Sequence, residues 1–281
     1  MTELIFGDDL KSSSEVEAGA RESLREFRDD LYSKYGIYFP EKKFYKLKAK
    51  VGKRLRSLNL DTIEEYDEYL QQNPSEVSDL LDVISTNTTR FYREDRHWKF
   101  VETELIKKWQ GQPKVVCWSA ACSSGEEPYT LATLLNEARR EGKFKYNILA
   151  TDLSENVLQR GVRGIYSTDA LKPLRVAHPE LVQQYFESME GGMKRAGKEL
   201  RDRVIFRKFN LNSNNYPYRN TFDLVLIRNV LIYFDEEMVK HVIDNLTASL
   251  KRGGYLFTGH SETLNKIDHR LKKVKPSIFQ K

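Results

Sequence analysis

Cysteine is scarce in this chain, with Cys117 and Cys122 the two among 281 residues. Two thiols cannot make a disulfide framework and their spacing is not C-x-x-C, so both read as reduced thiols of a cytosolic protein. Histidine is scarce as well: the five present lack metal-ligand spacing, and no metal is expected. Fifteen glycines and eight prolines are too few for a collagen-like or wholly disordered chain. No uncharged run approaches the ~20 residues that span a bilayer, and even DLVLIRNVLIYF is interrupted by Arg228. The N-terminal stretch MTELIFGDDLKSSSEVEAG has no basic segment followed by an apolar one, so no secretory signal is expected. These absences together predict a soluble, cytoplasmic protein without membrane insertion.

What remains is the composition of a globular protein. Hydrophobic residues make up 40% and charged residues 31%, and the net charge is +5. That balance is too weakly basic to require a nucleic-acid partner. The length suits about two domains at roughly 150 residues each.

The pattern divides the chain accordingly. Residues 1–18 read as a loose polar leader, 19–84 as an all-helical domain, 85–110 as a linker and connecting helix, and 111–281 as an α/β domain. Leu24, Phe27, Leu31 and Tyr35 mark a first amphipathic helix that breaks at Gly36. Pro40 suits the first turn of a second helix, and Ser75 the N-cap of a fourth. Charge is partitioned: residues 41–56 hold eight Lys or Arg and one acid, whereas 61–82 hold eight acids and no base. On the second helix, Phe44, Leu47, Val51 and Leu55 share one face; Lys42, Lys46, Lys50, Lys53 and Arg56 share the opposite one, flanked by Lys43 and Arg54. Such a face is either a solvated helix surface or a docking site for an acidic partner.

Beyond Lys107, short apolar runs alternate with helical stretches: Val115–Trp118 then Tyr129–Arg139, Ile148–Ala150 then Asn156–Tyr166, and Leu224–Ile227 then Glu236–Leu250. Late strands are expected at Tyr255–Phe257 and Ser277–Phe279. The alternation predicts a doubly wound, mostly parallel sheet, whose ligands bind beyond the carboxyl ends of the strands.

Three segments fall there. The first run leads into Ser119-Ala-Ala-Cys-Ser-Ser-Gly-Glu-Glu-Pro128, where small side chains let backbone approach a ligand and Gly125 can take a positive φ. The second ends at Asp152, an acid placed to accept hydrogen bonds from a ribose diol or, alternatively, to cap the next helix. The third ends at Arg228 and Asn229, with Tyr233 close behind, while Ser85–Glu94 places further polar side chains between the domains. No G-x-G-x-x-G is present, which weakens a nicotinamide or flavin reading, and no G-x-S-x-G or Cys/His pair marks a nucleophile. GMKRAGK at 192–198 fails as a phosphate loop because Glu199 stands where Ser or Thr is needed and no apolar strand precedes it. S-adenosylmethionine is the best fit to a glycine-containing loop rich in carboxylates.

Asn87-x-Thr89-x3-Arg93-Glu94, WSAACSSGEEPY, ATDLSENVL, RNVLIYF and GGYLFTGHSETL, in that order from about residue 20 to the end, resemble the successive signatures of CheR-type chemoreceptor glutamate methyltransferases. The resemblance implies a helical domain, an S-adenosylmethionine methyltransferase sheet and a small antiparallel β-subdomain inserted at about 185–208. It implies transfer of a methyl group to receptor glutamates, giving methyl esters and S-adenosylhomocysteine, with the cytoplasmic methylation region of chemotaxis receptors as partner. By motif, Asn87, Thr89 and Arg93 would contact the cofactor from the linker, Glu127 its methionine portion, and Asp152 its ribose. Asn210 and Leu211 would border the adenine, Arg228 and Asn229 would complete the wall, and Tyr233 with Arg93 would lie nearest the transfer centre. The chain has Phe91-Tyr92 where the motif often reads Phe-Phe, and Cys122 receives no catalytic role. The basic helix face then becomes a receptor-docking surface. The stretch Tyr185–Leu200 is short of glycine repeats, which favours an enzyme that needs no receptor-tail pentapeptide. The competing readings are a methyltransferase acting on RNA or a small molecule, and a non-catalytic cofactor-binding module. Apart from Phe44 on the apolar face, the basic helix offers only Tyr45 as an aromatic, so no RNA-stacking pattern is present.

Overall fold

In a computed structural model of the chain, the described residues are 13–85, 89–140 and 144–281, with side chains described from residue 21 onward. They divide into two compact units between Ile84 and Ser85. Of the expected leader 1–18, residues 1–12 lie outside the described set, and a helix already runs from Ser13.

The first unit holds α1 (Ser13–Tyr35), α2 (Phe44–Leu58), α3 (Ile63–Gln72) and α4 (Glu76–Ile84), with a 3-10 turn at Glu41–Lys43 directly after Pro40. Leu24, Phe27 and Leu31 of α1 are buried, as are Leu47 and Val51 of α2. Gly36 ends the first helix in the left-handed region at φ 72°, where a residue without Cβ is favoured. Thr62 and Glu65 form a capping box at the start of α3. One polar knot ties three helices: Arg54 donates two 2.7 Å hydrogen bonds to Glu76, and the Tyr66 hydroxyl donates to the same carboxylate at 2.8 Å. Glu76 and Tyr66 are buried there, and a charge out of water is tolerable because its oxygens are paired and hydrogen-bonded.

The second unit is built on a seven-stranded sheet. Its strands are β1 (Lys114–Ala120), β2 (Lys145–Asp152), β6 (Val204–Lys208), β7 (Phe222–Ile227), β8 (Leu250–Thr258), β9 (Lys272–Lys275) and β10 (Ile278–Gln280), in the order β6-β2-β1-β7-β8-β10-β9. The five strands from β6 to β8 run parallel, whereas β10 and β9 add antiparallel. Burial on both faces explains the apolar run Leu224–Ile227 of β7, whose six residues are all buried; the buried Asp223 is paired with Lys251 at 2.7 Å. Successive side chains alternate between two cores: Leu224 and Leu226 join one, and Val225 and Ile227 the other. Trp118 anchors the second core among the rings of Phe209, Tyr216, Tyr218 and Phe222. The helices are α5 (Asp95–Phe100), continued through a π-turn into α6 (Ile106–Trp109), then α7 (Glu126–Arg140), α8 (Glu155–Arg163), α9 (Lys172–Ala177), α10 (Pro179–Tyr185), α11 (Lys198–Arg201) and α12 (Glu236–Ser249).

The small antiparallel sheet differs from its expected bounds of 185–208. It consists of β3 (Ile165–Ser167), β5 (Met193–Ala196) and β4 (Phe186–Ser188), in that order. Its first strand precedes α9, because Ile165–Ser167 pairs with Met193–Arg195 across an intervening helical segment. Val204–Lys208 instead pairs parallel with β2 and belongs to the large sheet. Tyr166, expected in a helix, lies in β3 because α8 stops at Gly164, φ 62°. Among the described residues, no helix is long and apolar enough to cross a membrane.

Candidate active site

Five parallel strands end on the same edge of the large sheet, and each is followed by a segment carrying polar side chains. After β1 the chain bends through Ala121, Ser123 and Gly125, all with positive φ, into α7. At Gly125 a Cβ would meet the Tyr166 hydroxyl at 2.8 Å, so the turn needs glycine for room as well as for its φ of 97°. The Cys122 amide donates to the Thr151 carbonyl at 2.8 Å, fastening this loop to the end of β2. Burial raises the Cys122 thiol well above its ordinary value, which keeps it protonated and unreactive.

Asp152 closes β2. Its carboxylate accepts from the Ser123 amide at 2.8 Å and from the Ser154 amide at 3.1 Å. It is not the cap of α8; that position belongs to Ser154, whose hydroxyl accepts from the Val157 amide. Asn210 and Leu211 follow β6, and Asn210 turns its side-chain oxygen onto the Asn212 amide.

Glu127 stands in the first turn of α7 and Arg228 directly after β7. Glu127 accepts from the Ser119 hydroxyl at 2.6 Å and from Arg228 at 3.0 Å. Burial pushes the Glu127 carboxyl up, against the opposing pull of Arg228 and Ser119. Arg228 is itself buried and lies over the Trp98 ring at 5.1 Å. Its second partner is Glu94, at 3.1 and 3.3 Å, and it also donates to the Arg93 carbonyl.

The linker is held at this edge by its own anchors. Phe91 packs edge-on against Tyr166 and Phe186, the Tyr92 amide donates to Thr130, and the Trp98 indole donates to the Arg93 carbonyl. Tyr92 replaces a phenylalanine of the motif to a visible end: its hydroxyl donates to Glu102 at 3.2 Å and lies 3.3 Å from His178. These groups line a cavity of about 730 Å³ that also touches Arg90, Lys99, Glu94 and His260. Asn87 lies outside the described residues, whereas Thr89, Arg93 and Tyr233 are half-buried.

Two acids assigned no role from the sequence are central here. Glu94 meets Arg228, the Asn229 side chain and the His260 amide. Burial raises its carboxyl, but Arg228 and the His260 amide outweigh that and hold it below the usual range. Glu262 is buried and accepts from the backbone amides of Asn229 at 2.7 Å and Gly259 at 2.6 Å. That junction excludes a side chain at Gly259, where a Cβ would stand 2.7 Å from both Glu262 and the Asn229 amide group. The signals were present in Arg93-Glu94 and GHSE at 259–262, but only the convergence of strand ends gives them meaning.

Glu94, His97 and His260 also bring three potential metal-ligand atoms within 4.8 Å of one another, despite their sequence spacing. The Arg228 guanidinium already occupies the Glu94 carboxylate, and its charge opposes a second cation there. His97 is buried, its ring nitrogens make no hydrogen bond although Nδ1 lies 3.4 Å from Glu94, and burial beside Arg228 lowers it to about 3, so it is neutral.

The donor set suits a nucleoside joined to a zwitterionic amino-acid end. A carboxylate stands after the second strand, an acid and a guanidinium lie side by side near the first, and small residues between them let a ligand approach backbone. This agrees with S-adenosylmethionine better than with a dinucleotide or a nucleoside triphosphate, whose glycine-rich phosphate-binding motifs the sequence does not carry.

Of the basic residues expected to share this face, Lys42 in the 3-10 turn and Lys46, Lys53 and Arg56 on α2 are exposed. Lys50 is turned instead toward α4, where its ammonium donates to the Val83 carbonyl at 2.5 Å, and Arg54 is committed to Glu76. The usable cationic face is therefore narrower than the helical wheel predicts.

Residues 22–85 match the family described as CheR methyltransferase, all-alpha domain, and residues 87–279 match CheR methyltransferase, SAM binding domain. A chemotaxis protein methyltransferase of Borreliella burgdorferi is 32% identical over 89% of this chain and 91% of its own length. Chemotaxis protein methyltransferase 1 of Pseudomonas aeruginosa is 34% identical over 90% and 95%, and the Salmonella typhimurium protein 33% identical over 84% and 82%. With both halves matched in order, the chain belongs to the CheR methyltransferase family.

Proposed function

We propose that this protein transfers a methyl group from S-adenosylmethionine to glutamate side chains in the cytoplasmic methylation region of chemotaxis receptors, and that it works in the cytoplasm. The observation that carries the reading is the Glu127–Arg228 pair beside the small-residue loop, within a chain that matches both domains of the family. The relatives' common name, chemotaxis protein methyltransferase, supplies the substrate class. Asp152 takes the ribose, Glu127 and Arg228 the methionine end, Asn210 and Leu211 the adenine side. Thr89, Arg93 and Asn229 complete the wall, together with Asn87.

The cofactor supplies an activated methyl group on a cationic sulfur. The acceptor is a carboxylate with an ordinary pKa near 4.3, already ionised at neutral pH, so the chain need provide no general base. Opposite charges are lost as the bond forms, so orientation and partial exclusion of water matter more than proton transfer. Arg93 and Tyr233 are placed by motif to orient the incoming carboxylate, one by charge and the other by its hydroxyl.

The exposed cations of α2 provide the docking face for acidic receptor helices. The β4–β5 turn carries Gly191 and Gly192 at φ 66° and 70° in a short link, which favours an enzyme independent of a receptor-tail pentapeptide. The experiment is labelled methyl transfer with purified receptor cytoplasmic fragment and total RNA offered in parallel. Label on the fragment alone is expected; label on RNA alone overturns the reading.

A further inference from the structure

Glu94 is not one of the residues that the family's motifs assign to the cofactor, yet it gathers the strand ends. Its side chain is 11% exposed and its backbone sits at φ 61°, a left-handed conformation that a glutamate adopts only when its surroundings hold it there. One carboxylate oxygen accepts from Arg228 Nε at 3.3 Å and Nη2 at 3.1 Å. The other accepts from the His260 amide at 3.1 Å and from Asn229 Nδ2 at 3.4 Å. Those donors come from the segments after β7 and β8, so a single carboxylate ties the linker to two strand ends.

We infer that Glu94 is a positioning residue for the cofactor: it fixes the Arg228 guanidinium and the Asn229 side chain in the geometry that receives the methionine end. Arg228 stands between two carboxylates, Glu94 and Glu127. With Glu94 neutral, the guanidinium keeps Glu127 as its one charged partner beside the Arg93 carbonyl, which draws it closer to the acid meant for the ligand and loosens the Asn229 side chain. Trp98 backs the guanidinium but supplies no hydrogen-bond acceptor, so it does not replace Glu94. The inference rests on the reading of this edge as the S-adenosylmethionine site.

The test uses the full chain as wild type, Glu94→Gln and Glu94→Asp, each shown to be folded by its melting curve at the assay temperature. Glutamine keeps an acceptor for the His260 amide but gives up the charge on Arg228. Calorimetric titration with S-adenosylhomocysteine should show a Kd raised about tenfold or more in Glu94→Gln, the scale of one charged hydrogen bond. The KM for S-adenosylmethionine should rise in step, while the KM for receptor fragment and kcat at saturating cofactor stay within about threefold. Aspartate, one methylene short of spanning both Arg228 and the His260 amide, should give an intermediate Kd, and it carries the test if the glutamine variant does not fold. A Kd within about twofold of wild type in the folded variants overturns the inference. So does a fall in kcat or in binding stoichiometry with unchanged affinity, which is what a purely structural role produces. Wild-type protein that binds S-adenosylhomocysteine yet methylates no receptor fragment would remove the receptor reading and leave the calorimetric test of Glu94 standing.

Discussion

Glu127 and Arg228 lie 3.0 Å apart although 101 residues separate them, one opening the helix after β1 and the other following β7. The pair sets an acid and a base side by side where two adjacent parallel strands end, the place at which open α/β sheets bind ligands. A zwitterionic ligand end would exchange this internal pair for two external ones.

Asp152 both holds the β1 loop, through the Ser123 amide, and is the proposed ribose acceptor. Asp152→Ala should cost about 1.5–3 kcal/mol of cofactor affinity, roughly 10- to 150-fold, and should lower the melting temperature as the loop loses its anchor. Calorimetry at a temperature where the variant is folded separates the two effects. Unchanged affinity would take Asp152 out of the ribose contact.

Catalysis by orientation predicts a contrast between Tyr233 and His260. Tyr233→Phe should reduce kcat about tenfold or more with cofactor affinity preserved. His260→Ala should leave kcat within about threefold, because what His260 offers Glu94 is its backbone amide, which alanine retains. Loss of transfer in His260→Ala with intact binding would bring an imidazole into the chemistry.

Receptor docking by α2 predicts a salt-dependent KM. Single exposed charges contribute little, so the variant to make is Lys42→Glu, Lys46→Glu and Lys53→Glu together, leaving Lys50 on its Val83 carbonyl. Its KM for receptor fragment should rise strongly at low salt and less at high salt, with cofactor affinity unchanged. Wild-type kinetics at low salt would exclude the docking face.

Two histidines pull acid stability in opposite directions. His97 is lowered to about 3 by burial, so between pH 6.5 and that value the unfolded chain holds the extra proton and stability falls as pH falls. His178 is raised by its hydrogen bond to Glu102, 2.9 Å away, so its contribution is full below pH 6.5 and is lost as pH rises through its folded value. His97→Phe should flatten the acid limb of the melting-temperature profile. His178→Gln should destabilise more near about pH 5.5 than near about pH 8.5. Equal shifts at both pH values would contradict the assignment.

The alternation of apolar runs and helices exposed the parallel sheet because β1 and β7 are buried on both faces, β2 is buried on one and half-buried on the other, and their signal is local. The segments after them were legible for the same reason: position after a strand decides their use. The small sheet was less legible, since β3 is three residues long and its partner lies beyond two helices. Lys50 shares the cationic face of α2 on a helical wheel, but its partner is a carbonyl at the end of another helix, which no periodicity reveals. Glu94 and Glu262 stayed silent because their role comes from backbone amides and side chains delivered by separate strand ends.

The most direct test offers tritiated S-adenosylmethionine and a purified receptor cytoplasmic fragment to the protein, then treats the labelled fragment with mild alkali. Carboxylate methylation predicts label on glutamate that alkali releases as volatile methanol. Label that stays on the fragment through alkali, as methylated amines do, would contradict the account.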